Sequence, residues 1–361
     1  MSFWQSPLLF PQSKRLCPHR IVLAPLTNTQ SDEKGVLSEL EIDWLYSRAQ
    51  AGFALVISAA SYVQDQGRVW PKALGACTLD HQAGIKKLSQ KIHLTPSLLL
   101  MQLFHGGIRA LPKWSGLNPA SPGQHPPSSG YPQGLKALEP HEIEKIQQDF
   151  VHAALLCEQA GADGIEIHAA HGYLLSTFMD SYWNNRKDAW GNDIQGRSKL
   201  ILDIITEIRK RARKDFIIGL RLSLDNHGLL KGTYWQDSAW LAGEASSQLD
   251  YVHASLWDIR KTDPQGQSLL RSFKQALPAD LPLMVAGSIR SQEDLNWIEQ
   301  ENIALAAIGK AAIAHLNWPK EVFKEGFKLN APPYTRSYLQ SQNISEPFLN
   351  YLKSLPGMVE S

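Results

Sequence analysis

Short runs made almost wholly of apolar residues recur along the chain, and eight of them stand out: RIVLAPL (20–26), FALVISAA (53–60), SLLLMQLF (97–104), GIEIHAA (164–170), FIIGLRLS (216–223), LDYVHAS (249–255), LPLMVAGS (281–288) and IALAAIGKA (303–311). Their continuous rather than alternating character marks strands buried on both faces. Between them lie segments such as EIDWLYSRAQAG, IEKIQQDFVHAALLCEQAG and SKLILDIITEIRKRAR, whose apolar residues return every third or fourth position. That is the period of an amphipathic helix, and several of these segments end at a glycine or in a basic last turn, as helix C-termini prefer. Pro140 suits a first helical position, with Glu142 in the same turn. Strand and helix alternating eight times at this length predict an α/β fold, a closed (β/α)8 TIM barrel with a parallel sheet inside and helices outside.

Two stretches break the rhythm. Residues 108–139 are rich in Pro, Gly and Ser and lack periodicity, and a second polar and aromatic stretch follows His171, spanning 172–195. Both follow strands, so both are expected as long loops on the catalytic face of a barrel. The expected organisation is one barrel over 1–330 with these two insertions, then a tail over 331–361 in which EPFLNYLKSL reads as one short amphipathic helix. Composition adds little: 43% hydrophobic and 20% charged residues in 361 are ordinary for a globular chain with a large core. Lys plus Arg (36) and Asp plus Glu (35) nearly cancel, so no global field draws the chain to nucleic acid or an anionic membrane, and a small-molecule partner is expected. Three scattered cysteines, Cys17, Cys77 and Cys157, form neither a disulfide framework nor a metal motif. With no signal-peptide pattern and no membrane-length apolar run, the expectation is a cytoplasmic protein.

The chemistry gathers at the strand ends. They carry Thr27, Gln102 and His105, then His168, His171 and Tyr173, then Arg221, His253, Gly287, Ser288, Gly309 and Lys310. In a barrel these positions converge on one mouth. Gly287–Ser288 after the seventh strand and Gly309–Lys310 after the eighth occupy the usual phosphate position of such barrels. Gln102 and Arg221, deeper, suit a flat heterocycle with donors and acceptors on its edge. Phosphate at one end and a polar-edged ring in the middle suggest flavin mononucleotide. No G-x-G-x-x-G or Walker loop indicates a separate dinucleotide domain.

These residues, in this order, resemble the Old Yellow Enzyme family of FMN-dependent NAD(P)H oxidoreductases, the ene-reductases. The likeness runs through HRIVLAPLT, MQLFHGG, AGSI and AAIGKA, and is most specific over 161–197, GADGIEIHAAHGYLLSTFMDSYWNNRKDAWGNDIQGR. It implies that Ala24, Pro25 and Leu26 line the flavin, that Thr27 bonds its ring, that Ala60 packs on it, that Gln102 bonds the pyrimidine edge and that Arg221 faces the N1 side. It further implies that His168 and His171 donate to a substrate carbonyl oxygen and that Tyr173 supplies a proton. NAD(P)H would reduce the flavin and then leave the same pocket to the oxidant. Self-association through barrel helices or the tail is common in the family and is the expectation here. The sequence departs from the family pattern in Lys310, where Arg is usual, in Trp190 and Gly191–Asn192, and in an Arg displaced to Arg109 after Ile108.

Plainer readings stand beside these. Gln102 and Arg221 equally fit a polar layer inside the barrel, and Gly287 and Gly309 equally fit ordinary turns. His93 and His152 are read as structural or solvated, and His105 and His253 as core or supporting residues. Arg186, Asp188 and Arg197 read as fasteners of the long loop, and RKRARK (209–214) as a solvated helix end. Three rival functions differ in class: an FMN barrel with another acceptor (a quinone, a nitro compound, or tRNA uridine as in dihydrouridine synthases), a metal-dependent barrel hydrolase using His105, His168, His171 and His253, and a non-catalytic flavin-binding protein.

Overall fold

The computed structural model describes residues 2–226 and 228–360. Among these residues eight parallel strands close a barrel: β1 (Ile21–Leu23), β2 (Leu55–Ile57), β3 (Leu98–Phe104), β4 (Gly164–Ala169), β5 (Ile217–Ser223), β6 (Tyr251–Ser255), β7 (Leu283–Ala286) and β8 (Leu305–Ile308). Each pairs with the next, and β8 returns to β1. Every apolar run thus holds one barrel strand, but the strands are shorter than the runs. Residues 24–27 and 309–311 lie beyond the strand ends, free to form the mouth.

The run of apolar residues divides by parity once folded, because alternate side chains of a strand face opposite ways. Ile165, Ile167, Ile218, Leu220, Val252 and Val285 face outward into the helical layer. Val22, Leu55, Ile57, Leu98, Leu100, Ile217, Met284 and Leu305 face inward and fill the lower barrel. Tyr251 joins them, and Gly219 makes room for its ring: a Cβ there would stand 2.1 Å from the Tyr251 Cζ. The bottom is stoppered by an N-terminal hairpin (Leu8–Leu9 against Leu16–Cys17), which buries Phe10 5.9 Å from the Tyr251 ring.

The outer helices end as their sequences suggest. Ser38 caps Glu39–Ala51 by accepting from the Glu41 N–H, and Gly52 ends that helix at φ 104°. Pro140 opens Pro140–Gln159, where the Glu142 carboxylate accepts from the Glu139 N–H at 2.7 Å. The basic run 209–214 is not simply solvated. Arg209 pairs with the fully buried Asp250 at 2.9 Å, and Arg213 donates to the Ala162 carbonyl, so both fasten the bottom of the barrel. No helix among the described residues is long and apolar enough to cross a membrane.

After residue 330 the chain forms two helices, Arg336–Ser341 and Glu346–Lys353, rather than the single one expected. Phe348, Leu349 and Leu352 are fully buried, Phe348 edge-on to Trp44 at 5.2 Å. Arg48 links this tail to the barrel. Fully buried, its guanidinium donates to the carbonyls of Ala312, Ile313 and Gln342 and lies 4.9 Å from the Trp44 ring. Burial lowers it to about 9. Replacing it with methionine keeps the volume but strands three carbonyls, so Arg48→Met should destabilise the protein by about 2–3 kcal/mol in denaturant unfolding. An unchanged midpoint would show that water replaces the guanidinium at no cost.

Candidate active site

The upper half of the barrel interior is polar. Inward positions on adjacent strands put Gln102, Glu166, Arg221 and His253 side by side, Gln102 opposite Glu166 and Arg221 opposite His253. Glu166, fully buried, is the hub: it accepts from Gln102 Nε2 at 2.7 Å, from the Tyr251 hydroxyl at 2.9 Å and from His253 Nδ1 at 2.9 Å. Burial pushes its carboxyl upward, but His253, Arg221 and Gln102 outweigh burial and hold it at about 2. Burial lowers His253, which stays neutral with its Nδ1 proton on Glu166. Gln102 Nε2 is therefore engaged within the polar layer.

One level higher, β4 ends in a sharp turn. His171 and Gly172 both take left-handed φ, 63° and 74°, a conformation uncommon for histidine and typical of positions held for a purpose. The turn folds His171 back on His168, with His171 Nδ1 3.2 Å from His168 Nε2, and sets Tyr173 4.9 Å from the His168 ring centre to centre. Tyr173 also meets Phe104 at 5.1 Å and carries the Arg109 guanidinium over its ring at 4.7 Å. The Ala170 N–H donates to His168 Nδ1, so a neutral His168 bears its proton on Nε2 and gives it to His171 Nδ1. His171 then bears its own on Nε2, 2.7 Å from Ser255 Oγ. Burial keeps His168 far below the usual histidine range and thus neutral, and burial raises Tyr173 against the pull of Arg109 and Arg221.

Two cavities open at this level and share Leu256 and Trp257. The larger, about 610 Å³, is lined by Arg109, His171, Tyr173, Ser223, Asp225 and Ser255 among others. The smaller, about 210 Å³, is lined by Ala24, Pro25, Leu26, Arg221, Gly287, Ser288, Gly309 and Lys310. Eight positions read from the sequence as cofactor contacts thus border one space. Their chemistry fits FMN. Arg221 is buried, donates to Ser255 Oγ at 3.1 Å, and leaves its Nε without a partner among the described residues. A Cβ on Gly309 would meet only Leu26, at 3.8 Å, so the space above it is open. Lys310 is exposed at the mouth, its ammonium 4.9 Å from the Trp257 ring.

Other positions behave differently. Gly287 answers first to its own chain: a Cβ there would come 2.9 Å from the Ile259 nitrogen. The Ser288 hydroxyl donates to the Trp257 carbonyl. Ala60 packs in one cluster with Tyr62, Phe104 and Tyr173 and lines neither cavity. Thr27 lies near Tyr351 of the last helix, whose phenol is raised by burial and by the nearby Tyr173 and lowered by Thr27. The four histidines of the metal reading do not converge among the described residues: His168 and His171 face each other, but His253 is held on Glu166 and His105 is turned back to accept from the Gly107 N–H. Glu166, Tyr251, Ser255 and Tyr351 were not singled out in the sequence. Glu166 had a signal, a carboxylate two residues before His168 on the same face of a strand. The 172–195 loop is fastened much as expected: Arg186 binds Asp188 and the carbonyls of Pro122 and Leu138, tying it to the 108–139 loop, while Arg197 binds Asp237.

Comparison with known proteins agrees. The model of the NADH:flavin oxidoreductase / NADH oxidase family matches residues 11–330. A probable NADH-dependent flavin oxidoreductase, YqiG of Bacillus subtilis (strain 168), is 30% identical over 320 residues, covering 85% of this chain and 84% of its own. The NADH oxidase of Thermoanaerobacter brockii is 31% identical over 320 residues, but those cover 85% of this chain and only 49% of the relative, so this chain spans about half of that protein. The structure of the old yellow enzyme homologue from Zymomonas mobilis superposes with a TM-score of 0.78 at 23% identity, covering 91% of this chain and 94% of that one, a likeness of fold. The chain belongs to the NADH:flavin oxidoreductase / NADH oxidase family and is an oxidoreductase that uses FMN and NAD(P)H.

Proposed function

We propose that the protein reduces the activated C=C bond of α,β-unsaturated carbonyl compounds, with NAD(P)H and the oxidant using the larger cavity in turn. The observation that carries this reading is the convergence of His168, His171 and Tyr173 beside that cavity, next to the one that fits FMN. FMN, held by Arg221, Gly309 and Lys310 among others, would supply the hydride chemistry between the reductant and the oxidant's β-carbon. The chain's own groups manage the charge and the proton. As hydride arrives, negative charge builds on the carbonyl oxygen, and two imidazole N–H groups stabilise it. In this structure the His168 proton faces His171 and the His171 proton faces Ser255. Holding a carbonyl oxygen therefore means exchanging these partners for it, one hydrogen bond for another of similar worth. Tyr173, kept protonated by burial, delivers the α-proton.

The test is an anaerobic titration of the FMN-loaded protein. A flavin band that bleaches with NADH or NADPH and returns with 2-cyclohexenone supports the reading. Bleaching that no enone reverses overturns it and leaves a flavin oxidoreductase with a different acceptor, such as a quinone or nitro compound.

A further inference from the structure

We propose that the oxidant carries a carboxylate in addition to its activating carbonyl group, and that Arg109 is the residue that recognises it; this rests on the ene-reduction reading above. Arg109 ends the one-turn 3-10 helix Gly107–Arg109 that follows β3 and lines the larger cavity beside His171 and Tyr173. It is held from two sides. Nη1 donates to the His171 carbonyl at 2.8 Å, and the guanidinium lies 4.7 Å from the Tyr173 ring centre. That hydrogen bond uses one of five N–H groups, and no carboxylate of the described residues pairs with Arg109.

Among the described residues the rest of the wall offers no compensating charge. Asp225 is bound to Lys261. His168 and Tyr173 are neutral for the reasons given, and Arg221, deeper, shares the buried layer with Glu166. Among the described residues the cavity is left with one fixed, half-buried cation, Arg109, next to the proton donor. A guanidinium there gains most from a planar pair of anionic oxygens, which it grips with two parallel hydrogen bonds. The two imidazoles are already assigned to the reacting carbonyl oxygen, so the anionic group sits elsewhere on the substrate.

Stopped-flow kinetics on the FMN-loaded enzyme separates this from its rivals, using 4-oxocyclohex-2-ene-1-carboxylate, its methyl ester and 2-cyclohexenone as oxidants. The wild type should favour the acid over the ester, mainly through KM. Arg109→Gln should reduce the acid-over-ester preference in kcat/KM roughly 10- to 100-fold, beyond whatever loss the two oxidants share, with Arg109→Lys in between. Equal losses for acid and ester overturn the proposal and leave Arg109 as a brace for His171 and Tyr173. A loss confined to reduction by NADPH overturns it in favour of a contact with the dinucleotide's phosphates. A wild type that turns over 2-cyclohexenone without preferring the acid also overturns it, whereas failure with all three oxidants defeats the ene-reductase reading itself.

Discussion

Phenylalanine at position 173 should leave reduction of the flavin by NADPH nearly unchanged and slow its reoxidation by 2-cyclohexenone by about 10²- to 10⁴-fold, the usual worth of a positioned general acid. The substitution removes only the hydroxyl. Phe104, His168 and Arg109 pack against the ring, and those contacts survive, so the two half-reactions should part company without loss of fold. Neither His168, which burial holds neutral, nor Tyr173, which burial holds protonated, should give the wild-type reoxidation rate a pH dependence between about pH 6 and 8. Stopped-flow absorbance resolves each half-reaction separately. Equal slowing of both halves in Tyr173→Phe would point to a disturbed cavity, and no slowing with the enone would assign the α-proton to another donor.

The barrel was legible because its strands bury both faces and so read as unbroken apolar runs. The mouth was legible because those runs end in polar residues whose burial demands partners. His168, His171 and Tyr173 could be singled out together since they are neighbours in sequence. The parts that were missed are those made by contacts between distant segments. Thr27 and Tyr351 are brought together only when the final helix packs against the barrel, and Arg48 gains its meaning from carbonyls at 312, 313 and 342. Nothing local in the N-terminal segment says that Phe10 stoppers the barrel. Gly287 shows the converse: a glycine read from the sequence as a phosphate contact is required by the approach of the Asp258–Ile259 backbone. Glu166 is different, because the parity rule applied to GIEIHAA puts it on the inner face with His168. A carboxylate at the centre of an inward-facing apolar strand is costly enough to predict a ring of donors around it.

That ring makes Glu166 the position where a single substitution should cost most in stability. Replacing it with glutamine retains the shape and removes the charge, leaving Arg221 buried without its counter-charge. Loss of one partner from a buried ionic group typically costs about 3–5 kcal/mol. The pH dependence tells charge from shape. The folded protein holds Glu166 at about 2, below the ordinary 4.5, so the unfolded chain binds the extra proton between these values. The stabilisation is complete above about pH 4.5 and is lost as pH falls toward 2, roughly 3 kcal/mol in all. His253, whose folded value burial lowers, adds a loss of the same sign that begins nearer its ordinary 6.5, and that part persists in the variant. Denaturant unfolding at steps from pH 7 to 2.5 should therefore show wild type and Glu166→Gln far apart at neutral pH and converging through the acid limb. Curves that stay parallel across the range would mean that the loss is one of packing, and that the Gln102, Tyr251 and His253 donors do not stabilise a charge. A second comparison ties the layer to the cavity: Arg221 without Glu166 has more to gain from an anionic occupant, so FMN should stabilise Glu166→Gln by more than it stabilises the wild type.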